Sequence, residues 1–131
     1  MQKPIHILLV EDDPDDVHLL ESALRDNHIV FQSDVIPQGD HVLPYLKMSK
    51  IFPEIIILDL NLPKMHGKEV LLQLKKSDSF QNIPVIILTT SSSKADQDYC
   101  LQTGAEGYLI KPVTIEGFNA IVQTILTVVD K

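Results

Sequence analysis

The chain has 131 residues, with Lys+Arg 11 against Asp+Glu 18 and a formal net charge of −7. Apolar residues make up 44% and charged ones 22%, which excludes a disordered or fibrous chain. This length fits one compact domain, 1–131, hiding roughly two-thirds of its unfolded surface without disulfides or metal staples. The acidic balance repels phosphate backbones and no basic stripe offsets it, so direct DNA binding is not expected. Cys100 has no second cysteine to pair with, which fits a reducing compartment. The first apolar run is cut short by acids, and no stretch approaches the roughly 20 apolar residues of a membrane helix. The expectation is a cytoplasmic protein with no membrane association.

In chain order, Ile5 to Val10 predicts a buried strand (β1, 5–10). Asp13-Pro14 then reads as an N-cap with proline at the first helical position. Val17, Leu20 and Leu24 follow at helical spacing (α1, 14–27). Ile29 to Ile36 is a weaker strand (β2, 29–36), and 40–49 a short helix (α2) in which Pro44 must occupy a first turn or break the segment. Ile55 to Leu58 marks β3 (54–59), and Val70, Leu71 and Leu74 mark α3 (66–77). Val85 to Leu88 gives β4 (84–89), followed by α4 (94–103). Tyr108 to Ile110 gives β5 (107–110), and Phe118, Ile121, Ile125 and Val128 give α5 (115–129). Continuous apolar strands alternating with helices predict an α/β doubly wound parallel sheet with right-handed crossovers.

In such sheets the site lies beyond the carboxyl ends of the strands. Glu11-Asp12-Asp13 follows β1, Asp59 with Asn61 follows β3, Thr89 to Ser93 closes β4, and Lys111-Pro112 follows β5. A strand order of 2-1-3-4-5 would bring these groups together. Crowded carboxylates require a compensating cation, and oxygen-only ligands fit a hard ion such as Mg²⁺. Asp12, Asp59 and the Asn61 backbone carbonyl are the candidate direct ligands, with Glu11 acting through water. The Lys111 ammonium can pair with Asp59. A carboxylate can attack phosphorus to give an aspartyl-phosphate, with cation, lysine and hydroxyl neutralising the transferred oxygens. Asp15 and Asp16 read as first-turn acids favoured by the helix dipole, with no part in this chemistry.

The segments Ile7 to Pro14, Leu58 to Gly67, Ile87 to Thr90 and Gly107 to Pro112 resemble the receiver domain of two-component response regulators. The match spans nearly the whole chain, in order and spacing. The resemblance implies the flavodoxin-like receiver fold and a stand-alone domain without an output domain, similar to the small receivers that partner bacterial phytochromes. It implies that Asp59 accepts a phosphoryl group from a sensor histidine kinase or phosphotransfer protein. Glu11, Asp12, Asp59 and the Asn61 carbonyl would serve Mg²⁺ or another divalent hard cation. Thr89 would be the switch hydroxyl, Lys111 the contact to a phosphoryl oxygen, and Tyr108 the switch aromatic. Pro112 would follow a cis peptide bond. Output would pass to a downstream protein target, or to a second copy in a homodimer, through the α4–β5–α5 face. The only catalysis implied is that of its own phosphorylation and dephosphorylation.

Some positions depart from the family pattern. Thr90 replaces a smaller residue and narrows access to the pocket, Val113 stands where Phe is common, and His66 replaces Asp or Asn before Gly67. The five histidines show no ligand spacing, Gly67 is expected to permit a tight backbone, and Cys100 to be a half-buried helix residue. A pseudo-receiver that docks without phosphorylation is the alternative, opposed by the intact set Glu11, Asp12, Asp59, Thr89 and Lys111. An aspartate-nucleophile hydrolase needs an acid where Asn61 carries an amide. A flavin binder needs a phosphate loop where this chain has acids.

Overall fold

A computed structural model describes residues 3–130. Among them lies one five-stranded sheet of order β2-β1-β3-β4-β5 in which every pairing is parallel. The strands are β1 Ile5–Val10, β2 Phe31–Ile36, β3 Ile55–Leu58, β4 Val85–Thr89 and β5 Gly107–Ile110. Helices α1 Pro14–Asp26, α2 Val42–Met48, α3 Gly67–Lys76, α4 Lys94–Thr103 and α5 Ile115–Val129 connect or follow them.

Alternate residues of the apolar strands feed two cores. Ile7, Leu9, Ile55, Ile57, Ile86 and Leu88 pack with Leu20 and Leu24 of α1 and Phe118, Ile121 and Ile125 of α5. Leu8, Val10, Ile56, Leu58, Val85 and Ile87 pack on the other face with Leu46 of α2, Leu71 and Leu74 of α3 and Cys100 of α4. Burial of each such side chain favours folding by about 1.5–3 kcal/mol, which is why these positions are apolar.

The element boundaries depart from expectation where backbone chemistry overrides apolar pattern. α1 stops at Asp26, and Ile29 does not start β2. The Ile29 N–H donates to the Leu24 carbonyl at 3.0 Å and the His28 N–H to that of Arg25 at 2.9 Å. His28 is left-handed at φ 60. This is a Schellman closure with histidine where glycine is usual, and Ile29 packs in the same core as Leu24. The segment before α2 is a separate 3₁₀ turn, Gly39–His41. Pro44 is the third residue of α2, within the first turn, where a missing N–H costs no hydrogen bond.

Two local expectations are corrected. Cys100 is fully buried rather than half-buried, and burial pushes its thiol pKa up. The Lys111–Pro112 bond is trans, as is every peptide among the described residues. Trans is the cheaper X–Pro isomer by about 0.5–1 kcal/mol. The Lys111 N–H donates to the Thr89 carbonyl at 2.8 Å, and its side chain reaches the acids described below.

Candidate functional site

The residues just past three strands are pinned by one further hydrogen bond to the neighbouring strand. Glu11 N–H donates to Ile36 O at 3.0 Å, Asp59 N–H to Val10 O at 3.0 Å, and Lys111 N–H to Thr89 O at 2.8 Å. The sheet itself therefore fixes where these side chains start. Helix α3 starts against the Asp59–Leu60 backbone. Gly67 N–H donates to Leu60 O at 2.8 Å, and a Cβ on Gly67 would lie 2.3 Å from the Asp59 carbonyl oxygen. Only glycine lets α3 approach this closely. His66 caps the helix, its Nδ1 accepting the Lys68 N–H at 3.1 Å.

The Lys111 ammonium is the centre of the arrangement. It lies 2.7 Å from Glu11 Oε1, 2.7 Å from Asp16 Oδ2 and 2.9 Å from Asp59 Oδ2. Asp59 is 4% exposed, and its other oxygen accepts the Asn61 N–H at 3.3 Å. The remaining Glu11 oxygen accepts the Asp13 N–H at 3.2 Å. Leu9, Val17, Leu20, Ile57 and Leu88 line the same cleft as Glu11, Asp16 and Asp59 and keep water from one side of the acids.

The electrostatics follow from that burial. Burial above all, with the Asp59 charge, pushes Glu11 up to about 7, against the opposing hydrogen bond from Lys111. Burial would also raise Asp59. The Lys111 hydrogen bond and charge outweigh it, together with the Asn61 N–H and the Thr89 hydroxyl, and hold Asp59 below the usual carboxylate range. Burial would lower Lys111, yet its bonds to Asp16, Glu11 and Asp59 raise it well above an ordinary lysine. One ammonium thus serves three carboxylates, and the cluster still favours added positive charge.

Glu11, Asp12 and Asp59 each offer a carboxylate oxygen, and these oxygens all lie within 4.8 Å of one another. An all-oxygen set of this size suits a hard divalent cation, and Asp12, which is exposed, opens it to solvent.

Thr89 is fully buried, its Oγ1 accepting the Ser91 N–H at 3.4 Å. The Tyr108 hydroxyl donates to the Ser91 carbonyl at 2.9 Å, and the Ser91 hydroxyl donates to Asp96 at 2.6 Å. Asp96 also pairs with Lys68 of α3. The loop after β4 is thereby tied to β5, α4 and α3 at once. Thr90 is exposed beside this loop and Val113 is 99% exposed.

The structure brings Glu11, Asp12, Asp59, Thr89 and Lys111 to one sheet edge and adds a residue that sequence reasoning set aside. Asp16 was expected only to favour the α1 dipole, yet it holds Lys111. The available signal was its place one turn before Leu20 on the core-facing stripe, while Asp15 next to it is exposed. Helical side chains lean toward the N-terminus, so Asp16 leans back over the end of β1.

The model of the response regulator receiver domain matches residues 7–123. The chain belongs to that family. Among curated relatives, response regulator Rcp1 of Synechocystis sp. is 32% identical, over 93% of this chain and 86% of its own length. The probable methanogenesis regulatory protein FilR2 of Methanothrix harundinacea is 34% identical, over 95% of this chain and 83% of its own. Among solved structures, the phosphorylated cyanobacterial phytochrome response regulator RcpA superposes with a TM-score of 0.85 at 30% identity, covering 94% of this chain and 91% of that one. The receiver fold is therefore shared with the phytochrome response regulator RcpA, and two-component signalling is the setting of this chain.

Proposed function

We propose that this receiver takes a phosphoryl group onto Asp59 from a sensor histidine kinase or phosphotransfer protein. The observation that carries the reading is a carboxylate 4% exposed, bonded to the Lys111 ammonium and within 4.8 Å of two further acids. An Asp59 oxygen attacks phosphorus, the bond from phosphorus to the donor nitrogen breaks, and the donor keeps its electron pair. Lys111 then donates to a phosphoryl oxygen in place of the Asp59 carboxylate, and the Thr89 hydroxyl donates to another. Asp12, Asp59 and the Asn61 carbonyl would hold Mg²⁺, with Glu11 acting through water. When bound, that ion neutralises charge on the phosphoryl oxygens. The likeness to RcpA makes a phytochrome-type kinase the first donor to test, in the cytoplasm.

Output passes through the α4–β5–α5 face to a downstream protein or a second copy. Movement of Thr89 toward the phosphoryl group draws on the Ser91 carbonyl that holds Tyr108, and the Tyr108 side chain, half-buried now, turns inward. Pro112 follows Lys111 and sets the direction in which α5 leaves the site.

Incubation with acetyl phosphate and Mg²⁺ is expected to add one base-labile phosphate, read by intact mass. Asp59→Asn is expected to abolish it. Equal labelling of that variant would overturn the assignment, and a protein that binds the kinase yet takes no phosphate would favour the pseudo-receiver reading.

A further inference from the structure

Lys111 has three N–H donors, and they meet three carboxylates from different elements. Glu11 and Asp59 come from the ends of β1 and β3, while Asp16 comes from the first turn of α1. Asp16 stands outside the group of acids whose oxygens converge on a cation position, which comprises Glu11, Asp12 and Asp59. Its side chain is 26% exposed against 5% for that of Asp59, and its contact with the ammonium is as short as that of Glu11. A lysine side chain anchored at one point swivels on a flexible four-carbon stem. Anchored by Glu11 on one side and Asp16 on the other, it presents its remaining N–H in one direction only.

We propose that Asp16 is a positioning residue that holds the Lys111 ammonium from α1, so that one N–H stays aimed at the Asp59 oxygen and, after transfer, at the phosphoryl group. The inference rests on Asp59 being the phosphoacceptor. During transfer from acetyl phosphate the bond from Asp59 oxygen to phosphorus forms, the acetyl-oxygen to phosphorus bond breaks, and acetate leaves with the electron pair. Asp16 touches none of these atoms and acts through Lys111. Its negative charge also keeps the ammonium from settling wholly on Asp59 and masking the nucleophile.

The test is the rate of Asp59 labelling by acetyl phosphate at saturating Mg²⁺, in the full chain. Asp16→Ala is expected to slow labelling about ten-fold, less than the roughly 100-fold that a 1 Å misplacement can cost, because Glu11 still holds the ammonium. The isosteric Asp16→Asn, which keeps an acceptor oxygen, should fall between it and the unaltered protein. In a Lys111→Ala background, Asp16→Ala should change the rate by less than about two-fold, because its effect runs through the missing ammonium. Mg²⁺ affinity by calorimetry should change by no more than about three-fold in Asp16→Asn and by much more in Asp12→Ala, which loses a ligand and its charge. Labelling of Asp16→Ala at the unaltered rate would overturn the proposal. So would an equal loss in the Lys111→Ala background, or an Mg²⁺ defect as large as that of Asp12→Ala. If the unaltered protein takes no phosphate on Asp59, the phosphoacceptor reading fails first and this one with it.

Discussion

β3 and β5 are both four-residue strands of the same sheet, yet all of Ile55–Leu58 is buried while none of Gly107–Ile110 is. β3 lies between two strands with helices on both faces. β5 is the edge, and α4 beside it buries only Cys100. Ile110 is 51% exposed and Ile115, at the start of α5, is 68% exposed. An apolar run is therefore not equivalent to a buried one. Its place in the sheet decides whether it anchors the fold or remains a surface open to partners. The two regions meet at the functional site, where Asp59 extends the rigid strand and Lys111 the edge strand. The proposed phosphoacceptor thus sits on the buried strand, and the lysine that holds it on the half-exposed one.

The contrast should appear most strongly in stability. Ile56→Ala, deep between the layers, is expected to lower unfolding free energy by about 3–4 kcal/mol, and Ile110→Ala by less than about 1 kcal/mol. Denaturant midpoints check this, and similar losses at both positions would remove the distinction between core and edge.

The next effect concerns the joint between the regions. Lys111→Met leaves Glu11, Asp16 and Asp59 without their shared cation, and breaking such a buried group costs about 3 kcal/mol. Added Mg²⁺ should restore part of that loss in the variant, and chelation with EDTA should abolish the recovery. Thermal melts with and without the ion measure it.

Binding of beryllofluoride, a phosphoryl mimic, with Mg²⁺ should then separate the regions dynamically. Amide exchange is expected to slow over 89–93 and 107–110 while Ile7–Val10 and Ile55–Leu58 stay unchanged. Absence of change near Tyr108 with the mimic bound would refute the output route through Ser91.

The smallest effect lies at the opposite edge. The hydrogen bond from Tyr45, and secondly that from His6, lowers the Asp34 pKa below its ordinary value. A carboxylate lowered in the folded state adds stability above its unfolded pKa of about 4 and loses it as pH falls through the folded value. Tyr45→Phe removes the larger cause. Its stability deficit should be constant between about pH 5 and 9 and shrink as acid protonates Asp34. A deficit unchanged at low pH would assign it to lost packing.

Much of this architecture was legible in residue order. Four apolar runs ending in Glu11, Asp59, Thr89 and Lys111 determined a parallel sheet with polar groups at one edge, because strands covered on both faces are apolar until near their ends. Asp13-Pro14 fixed the start of α1, since a cap and an N1 proline act locally. The positions where expectation failed depend on the chain meeting itself. His28 closes a helix in a conformation that only its surrounding hydrogen bonds reveal, so Ile29 looked like strand. The trans Lys111–Pro112 bond lies within a small energy difference that local sequence does not resolve. Asp16 is 95 residues from Lys111, and its place one turn before Leu20 marks it as inward-facing without naming the partner it meets. The sequence by itself determined which groups stand at the strand ends, because hydrophobic periodicity and strand ends are local properties. Tertiary structure alone decided that one ammonium is shared by three acids and that β5 stays half-exposed, because both depend on the packing of elements far apart in the chain.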